Sequence, residues 1–166
     1  VLTSRSLATQ LSVSPQPVRD ALKRLEADGI LDSRPQSGFF LRTLTVPEYR
    51  EITEIRQRLE GLAARHAAAH IDSGGIAMLE ATNRTMASMA RPHDYLAQNF
   101  RFHFGVYSES RMPSLLGLIE NLWMRIGPML HHHPHEFNLV ETVRKHEAII
   151  DALRRHDGDA AEAAVA

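Results

Sequence analysis

Asn99 and His103 stand four residues apart in Asn99-Phe100-Arg101-Phe102-His103, so a helix through them puts both on one face. Phe100, Phe104 and Tyr107 point broadly inward on that predicted helix, which sets the polar pair beside an aromatic core. His146 stands on a later helical stretch, with Ile149, Ile150 and Leu153 along its stripe. Taken singly, each suits a satisfied buried polar residue. Together, Asn99, His103 and His146 suit a divalent metal held between helices, with imidazole nitrogens as the main donors. A metal-dependent enzyme is the alternative use of such a site, and it needs a general base or nucleophile near the ion. No H-E-x-x-H helix occurs, and Glu147, adjacent to His146, points about 100° away around the helix.

A second histidine group, His131-His132-His133-Pro134-His135, reads differently. Adjacent histidines point in different directions and Pro134 ends the helix beside them, so a polar interhelical loop is the expectation rather than a metal site. Met78, Met86, Met89, Met124 and Met129 are expected to fill gaps in the core or an interface. Trp123, at helical spacing from Leu116, Ile119 and Ile126, is expected in core or interface rather than as a stacking platform.

These side chains need a scaffold, and the sequence from residue 45 to 166 supplies a helical one. Thr45-Val46-Pro47-Glu48 has a cap, a first-turn proline and a first-turn acid. To about His70, the positions Ile52, Ile55, Leu59, Leu62, Ala63 and His66 trace a helical stripe. Further helices are predicted over 73–90, 93–108, 113–130 and 137–155, with a last fragment from Asp157. Gly74-Gly75, Pro92, Pro113, Pro134 and Gly158 punctuate them. Nothing alternates at period two over a useful length, so this part reads as an antiparallel α-helical bundle with short loops.

Residues 1–44 differ. They hold six Lys/Arg against four Asp/Glu, whereas the remainder holds thirteen against sixteen and all ten histidines. The whole chain carries a net charge of only −1, which alone argues against nucleic acid, but a small positive local domain is enough for DNA, and a dimer doubles it. There is no cysteine, so no disulfide or thiolate site is possible. No apolar run approaches the roughly 18 residues of a membrane span, and no signal-peptide pattern occurs. The expected location is the cytoplasm, with no membrane partner.

Within that first part, Ser14 to Gly29 reads as one helix with both ends marked. Ser14 is the expected N-cap, Pro15 and Pro17 fit the first turn, and Gly29 supplies the left-handed stop. Val18, Ala21, Leu22 and Leu25 form the apolar stripe, while Gln16, Arg19, Lys23 and Arg24 lie mostly off it. Thr3 to Leu11 is a second short amphipathic helix with Leu7, Ala8 and Leu11 apolar, separated only by Ser12 and Val13. That is a helix-turn-helix with the second helix as reader. Two β-prone runs, from Ile30 to Ser33 and from Phe39 to Arg42, flank a Pro/Gly turn and add a hairpin. The fold class expected is mostly α: a winged helix-turn-helix with a β-hairpin wing over 1–44, then the bundle over 45–166.

The pattern Leu7-Ala8-x-x-Leu11-x-Val13-Ser14-x-x-Pro17-Val18-Arg19-x-Ala21-Leu22-x-x-Leu25-x-x-x-Gly29 resembles the DNA-binding signature of GntR-type bacterial transcription regulators. The resemblance implies that Arg5, Arg19 and the wing glycine Gly38 contact operator DNA, with Ser14 and Gln16 near bases or phosphates and Lys23 on the same face. Many members carry Arg where this chain has Pro15, which removes one contact or moves it to Gln16. Arg56-x-x-Leu59-Glu60-x-x-Ala63-Ala64, then Asn99-x-x-x-His103, then His146 resemble the FCD-type ligand-binding domain of the FadR-like subgroup. That implies a divalent metal (zinc, nickel or manganese) at Asn99, His103 and His146, with a fourth histidine expected just past Ala166. Asn99 in place of the commoner Asp removes a negative charge from the site. It further implies a small carboxylate effector beside the metal, with Arg56 as its counter-charge, and a homodimer on palindromic double-stranded operator DNA. A winged helix normally has one more helix before the one near Thr3, and the last helix runs into Ala166 without a stop. Sequence is therefore expected to continue beyond one or both ends.

Overall fold

The computed structural model describes residues 1–35, 37–89, 92–132 and 138–165, without the side chains at 92–94 and 129–132. The head comprises α1 (Ser4–Leu11), α2 (Pro15–Ala27), β1 (Leu31–Arg34) and β2 (Gly38–Leu41). Thr3 caps α1, accepting from the Ser6 amide at 3.2 Å. Ser14 stands extended at the N-cap of α2, but its side chain makes no capping hydrogen bond. A cap bonds the second or third amide of the helix, and Pro17 at the third position has none, which leaves only that of Gln16. Gly29 takes φ 73° and ends the helix region as expected.

Strands β1 and β2 pair antiparallel in the register Leu31↔Leu41 to Arg34↔Gly38. Leu2 adds a third short rung, exchanging both backbone bonds with Phe39 at 2.8 and 2.9 Å. Ala8, Val18, Leu22, Ile30 and Leu31 form the head's core, with Leu2, Leu7, Leu25 and Phe39 packed against it. Two members of the predicted stripes miss that core: Ala21 and Leu11 are exposed.

Six helices make the bundle: α3 (Val46–Ala68), α4 (Ser73–Ala87), α5 (Pro92–Ser108), α6 (Pro113–His132), α7 (Leu139–Arg154) and α8 (Gly158–Val165). Thr45 and Glu48 close a full capping box on α3. The buried face of α3 is made of small residues, Gly61, Ala63, Ala64, Ala67 and Ala68, together with Ile52 and Glu60. The stripe read from the sequence is rotated from this one: Ile55, Leu62 and His66 are exposed. Small residues win because α8 lies very close; a Cβ on Gly61 would stand 3.1 Å from Glu162 Cγ. Larger side chains from elsewhere fill the core around α3, among them Phe102, Tyr107, Ile119, Ile149 and Leu153.

Three further expectations need correction or fall outside the description. Phe100 is 45% exposed rather than inward, stacked on Phe104 at 4.0 Å. Met86 is fully buried, but Met78 and Met124 are exposed. The histidine tract falls at the end of α6, where the side chains of His131 and His132, and all of His133 to His135, lie outside the described residues, as does the Met129 side chain. Head and bundle meet at a small apolar joint of Leu44, Ile52 and Ile126, with Tyr49 and Leu122 against it.

Candidate functional site

The bundle brings the sequence-predicted residues to one cleft of about 290 Å³, whose lining includes Arg56, Asn99, His103 and His146. α3 delivers Arg56, α5 delivers Asn99 and His103, and α7 delivers His146. The imidazoles of His103 and His146 meet with their Nε2 atoms 3.3 Å apart. Phe102 fixes the second ring by stacking on it, centroid to centroid 3.7 Å and 4° from parallel. Burial holds His146 down to about 4. Burial, then the neighbouring His146 and Arg56, hold His103 well below the usual histidine value. Both rings are thus neutral near pH 7, the form that binds metals.

The far nitrogens of the two rings are engaged. His146 Nδ1 lies 3.1 Å from Asn83 Oδ1, and the Asn83 amide nitrogen donates to the Val143 carbonyl at 3.2 Å. Asn83 is thereby oriented as an acceptor, so His146 carries its proton on Nδ1 and turns a lone pair toward His103. His103 Nδ1 lies 3.1 Å from the Tyr107 hydroxyl, which donates to Glu60 Oε2 at 2.7 Å. Glu60 Oε1 accepts from Trp123 Nε1 at 2.8 Å and from Arg56 Nε at 2.6 Å. The Arg56 guanidinium also lies over the Trp123 ring, 4.2 Å from its centroid.

Two nitrogens on one ion at about 2.0–2.1 Å each stand roughly 3.0–3.4 Å apart at ordinary coordination angles. The imidazole pair, with Asn99 one turn earlier on α5, therefore suits a divalent ion. Among the described residues, however, no three His, Asp or Glu side chains converge tightly enough to hold one. The protein donors at hand are two imidazoles and an amide, and other positions around an ion would fall to water or a ligand.

Sequence reasoning missed three partners. Asn83 lies 63 positions before His146, and nothing local marked it. Glu60 was visible only as part of a motif, and Trp123 was expected in core without its bond to Glu60. A buried Glu on an alanine-rich helix face was the one available signal, since such a group needs partners.

In the head, Arg5, Ser14, Gln16, Arg19 and Lys23 are all exposed, on α1, at the cap and along α2. Gln16 Nε2 donates to Asp20 Oδ1 at 3.0 Å, which places an unanticipated acid on the same face. Gly38 has φ 88°, and a Cβ there would stand 2.7 Å from the Leu2 carbonyl oxygen. Its side-chain-free form is required by the wing's own packing, whatever it touches besides.

Comparison with known proteins agrees with this two-part architecture. Residues 1–41 match "Bacterial regulatory proteins, gntR family" and residues 51–166 match the "FCD domain". The HTH-type transcriptional regulator McbR of Escherichia coli K12 is 30% identical over 162 residues, covering 94% of this chain and 73% of McbR. The HTH-type transcriptional repressor RspR of the same organism is 28% identical, covering 99% of this chain and 74% of RspR. A solved structure of E. coli McbR/YncC superposes with a TM-score of 0.88 at 27% identity, over 98% of this chain and 80% of that one. These relatives are regulators, so the enzyme alternative falls away. With an FCD match spanning most of its length behind a GntR match, the chain belongs to the GntR family of bacterial transcription regulators, in the group that carries an FCD domain.

Proposed function

We propose that this chain is a ligand-responsive repressor divided into a reading head (1–44) and a sensing bundle (45–166). As a cytoplasmic homodimer it reads a palindromic operator through Arg5, Ser14, Gln16, Arg19, Lys23 and Gly38, half-sites being about one helical turn apart. Its bundle binds a small carboxylate beside a divalent metal held by Asn99, His103 and His146, with Arg56 as the counter-charge. Zinc, nickel and manganese all suit such a donor set. When bound, the ion supplies a Lewis-acidic point for a carboxylate oxygen.

One observation carries this reading: two neutral imidazoles, His146 buried and His103 half-buried, face each other across 3.3 Å in a cleft that also holds a guanidinium. Arg56 spends its Nε on Glu60, which leaves its terminal nitrogens for a ligand. His103→Ala and His146→Ala should each abolish stoichiometric metal retention after dialysis, read by elemental analysis, whereas His132→Ala should not. Retention that survives the first two changes and falls with the third would move the site to the histidine tract.

A further inference from the structure

We propose that Glu60 is the positioning residue of the whole cleft: through Tyr107 it fixes which nitrogen of His103 carries the proton, and through Arg56 it aims the cationic hook. The metal part rests on the reading above; the tautomer part stands on geometry alone. Glu60 is 6% exposed, and its two oxygens accept from three elements: Arg56 on its own helix, Tyr107 on α5 and Trp123 on α6.

The direction of each bond follows from chemistry. Arg Nε and Trp Nε1 can only donate. A carboxylate paired with a guanidinium can only accept, so Tyr107 must spend its single hydroxyl proton on Glu60. Its oxygen is then left to accept from His103, which places the proton of His103 on Nδ1. Asn83 imposes the same form on His146. Both Nε2 lone pairs consequently confront each other at 3.3 Å, an arrangement that repels until a cation joins it. The pair is held in the metal-ready form by Glu60 on one side and Asn83 on the other.

The isosteric change Glu60→Gln reverses this relay. Its amide oxygen must face the two obligate donors, Arg56 and Trp123, so its NH2 must face Tyr107. Tyr107 then accepts from Gln and turns its own proton onto His103 Nδ1. The proton of His103 moves to Nε2, where it bonds the lone pair of His146 and no longer offers one to a metal. Every hydrogen bond keeps a partner while Arg56 loses its counter-charge, so a thermal melt accompanies the variant to show that it is folded.

The test is nitrogen-15 NMR of the imidazoles at pH 7.5 in metal-free protein, together with zinc titration. Wild type should show His103 and His146 both protonated on Nδ1, and Glu60→Gln should show His103 protonated on Nε2 with His146 unchanged. Zinc affinity should fall at least 10- to 100-fold, the usual effect of losing an outer-shell partner. Tyr107→Phe, which cuts the relay without reversing it, should leave His103 as a mixture of both forms. His103 protonated on Nε2 in wild type, or unmoved in Glu60→Gln, would overturn the proposal. A tautomer that flips as described in a protein whose wild type takes up no zinc would sustain the role of Glu60 and remove the metal reading instead.

Discussion

At the scale of single residues, the cleft is a problem of proton placement. Burial holds the pKa of His146 at about 4, well under the ordinary 6.5. Between those values the unfolded chain binds a proton at this residue and the folded chain does not. Stability therefore rises with pH across that window, and is lost as pH falls from about 6.5 toward 4. His103 acts in the same direction. Denaturant titrations of metal-free protein at pH 7.5, 6 and 5 should show progressive loss, at most about 1.4 kcal/mol per pH unit for each histidine. His146→Asn should flatten part of that slope. An identical slope in wild type and variant would mean that the ring protonates in the native state. The residue types and spacing showed the amide and imidazole members of the cleft but not its wiring. Asn99, His103 and His146 were readable because helical periodicity puts them on inner faces. Asn83 and the triple acceptance by Glu60 were not, because each joins helices distant in sequence.

At the scale of elements, the head and α3 show where sequence patterns hold and where packing overrides them. The caps of α1 and α3 formed as their residues dictate, and the left-handed Gly29 follows the end of the reading helix at Ala27 and its C-cap Asp28. Ser14 makes no side-chain capping bond, and Pro17 removes one of the two amides it could have bonded. Along α3, alanines and a glycine occupy the buried face and bulkier apolar residues turn outward, since close approach of α8 rewards small side chains. Hydrophobicity alone could not separate those two faces. The wing offers a test of contact against architecture. Arg19→Ala should weaken operator binding by about 1–3 kcal/mol with an unchanged melting temperature, because the side chain is exposed and off the core. Gly38→Ala should also destabilise the fold by roughly 1–3 kcal/mol of backbone strain, with the Leu2 carbonyl in the way, and so lower the melting temperature. Gel shifts and thermal melts on both variants separate the two roles. Equal melting temperatures for both would mean that the wing relaxes around an added methyl.

At the scale of the molecule, α6 and α3 join the cleft to the head. Trp123 borders the cleft, and Ile126, three residues further along α6, packs in the joint with Leu44 and Ile52. Tyr49 on α3 belongs to both the cleft lining and that joint. A ligand that repositions Trp123 or Tyr49 thus acts on the surface from which the reading head hangs. It can shift the head only by its differential affinity for the two arrangements, and coupling of about 1–3 kcal/mol, or 5- to 150-fold, is typical.

The central claim is that a metal-bound acid in the bundle controls the grip of the head on DNA. Its most direct measurement is the affinity of the protein for an operator selected from random-sequence DNA, titrated with small mono-, di- and tricarboxylates, before and after chelation. In metal-loaded protein at least one acid should weaken operator binding by 5- to 150-fold. Chelation should erase that response while leaving affinity in the absence of acid nearly unchanged. An equal response with and without metal, or no response to any acid in the loaded protein, would contradict the account.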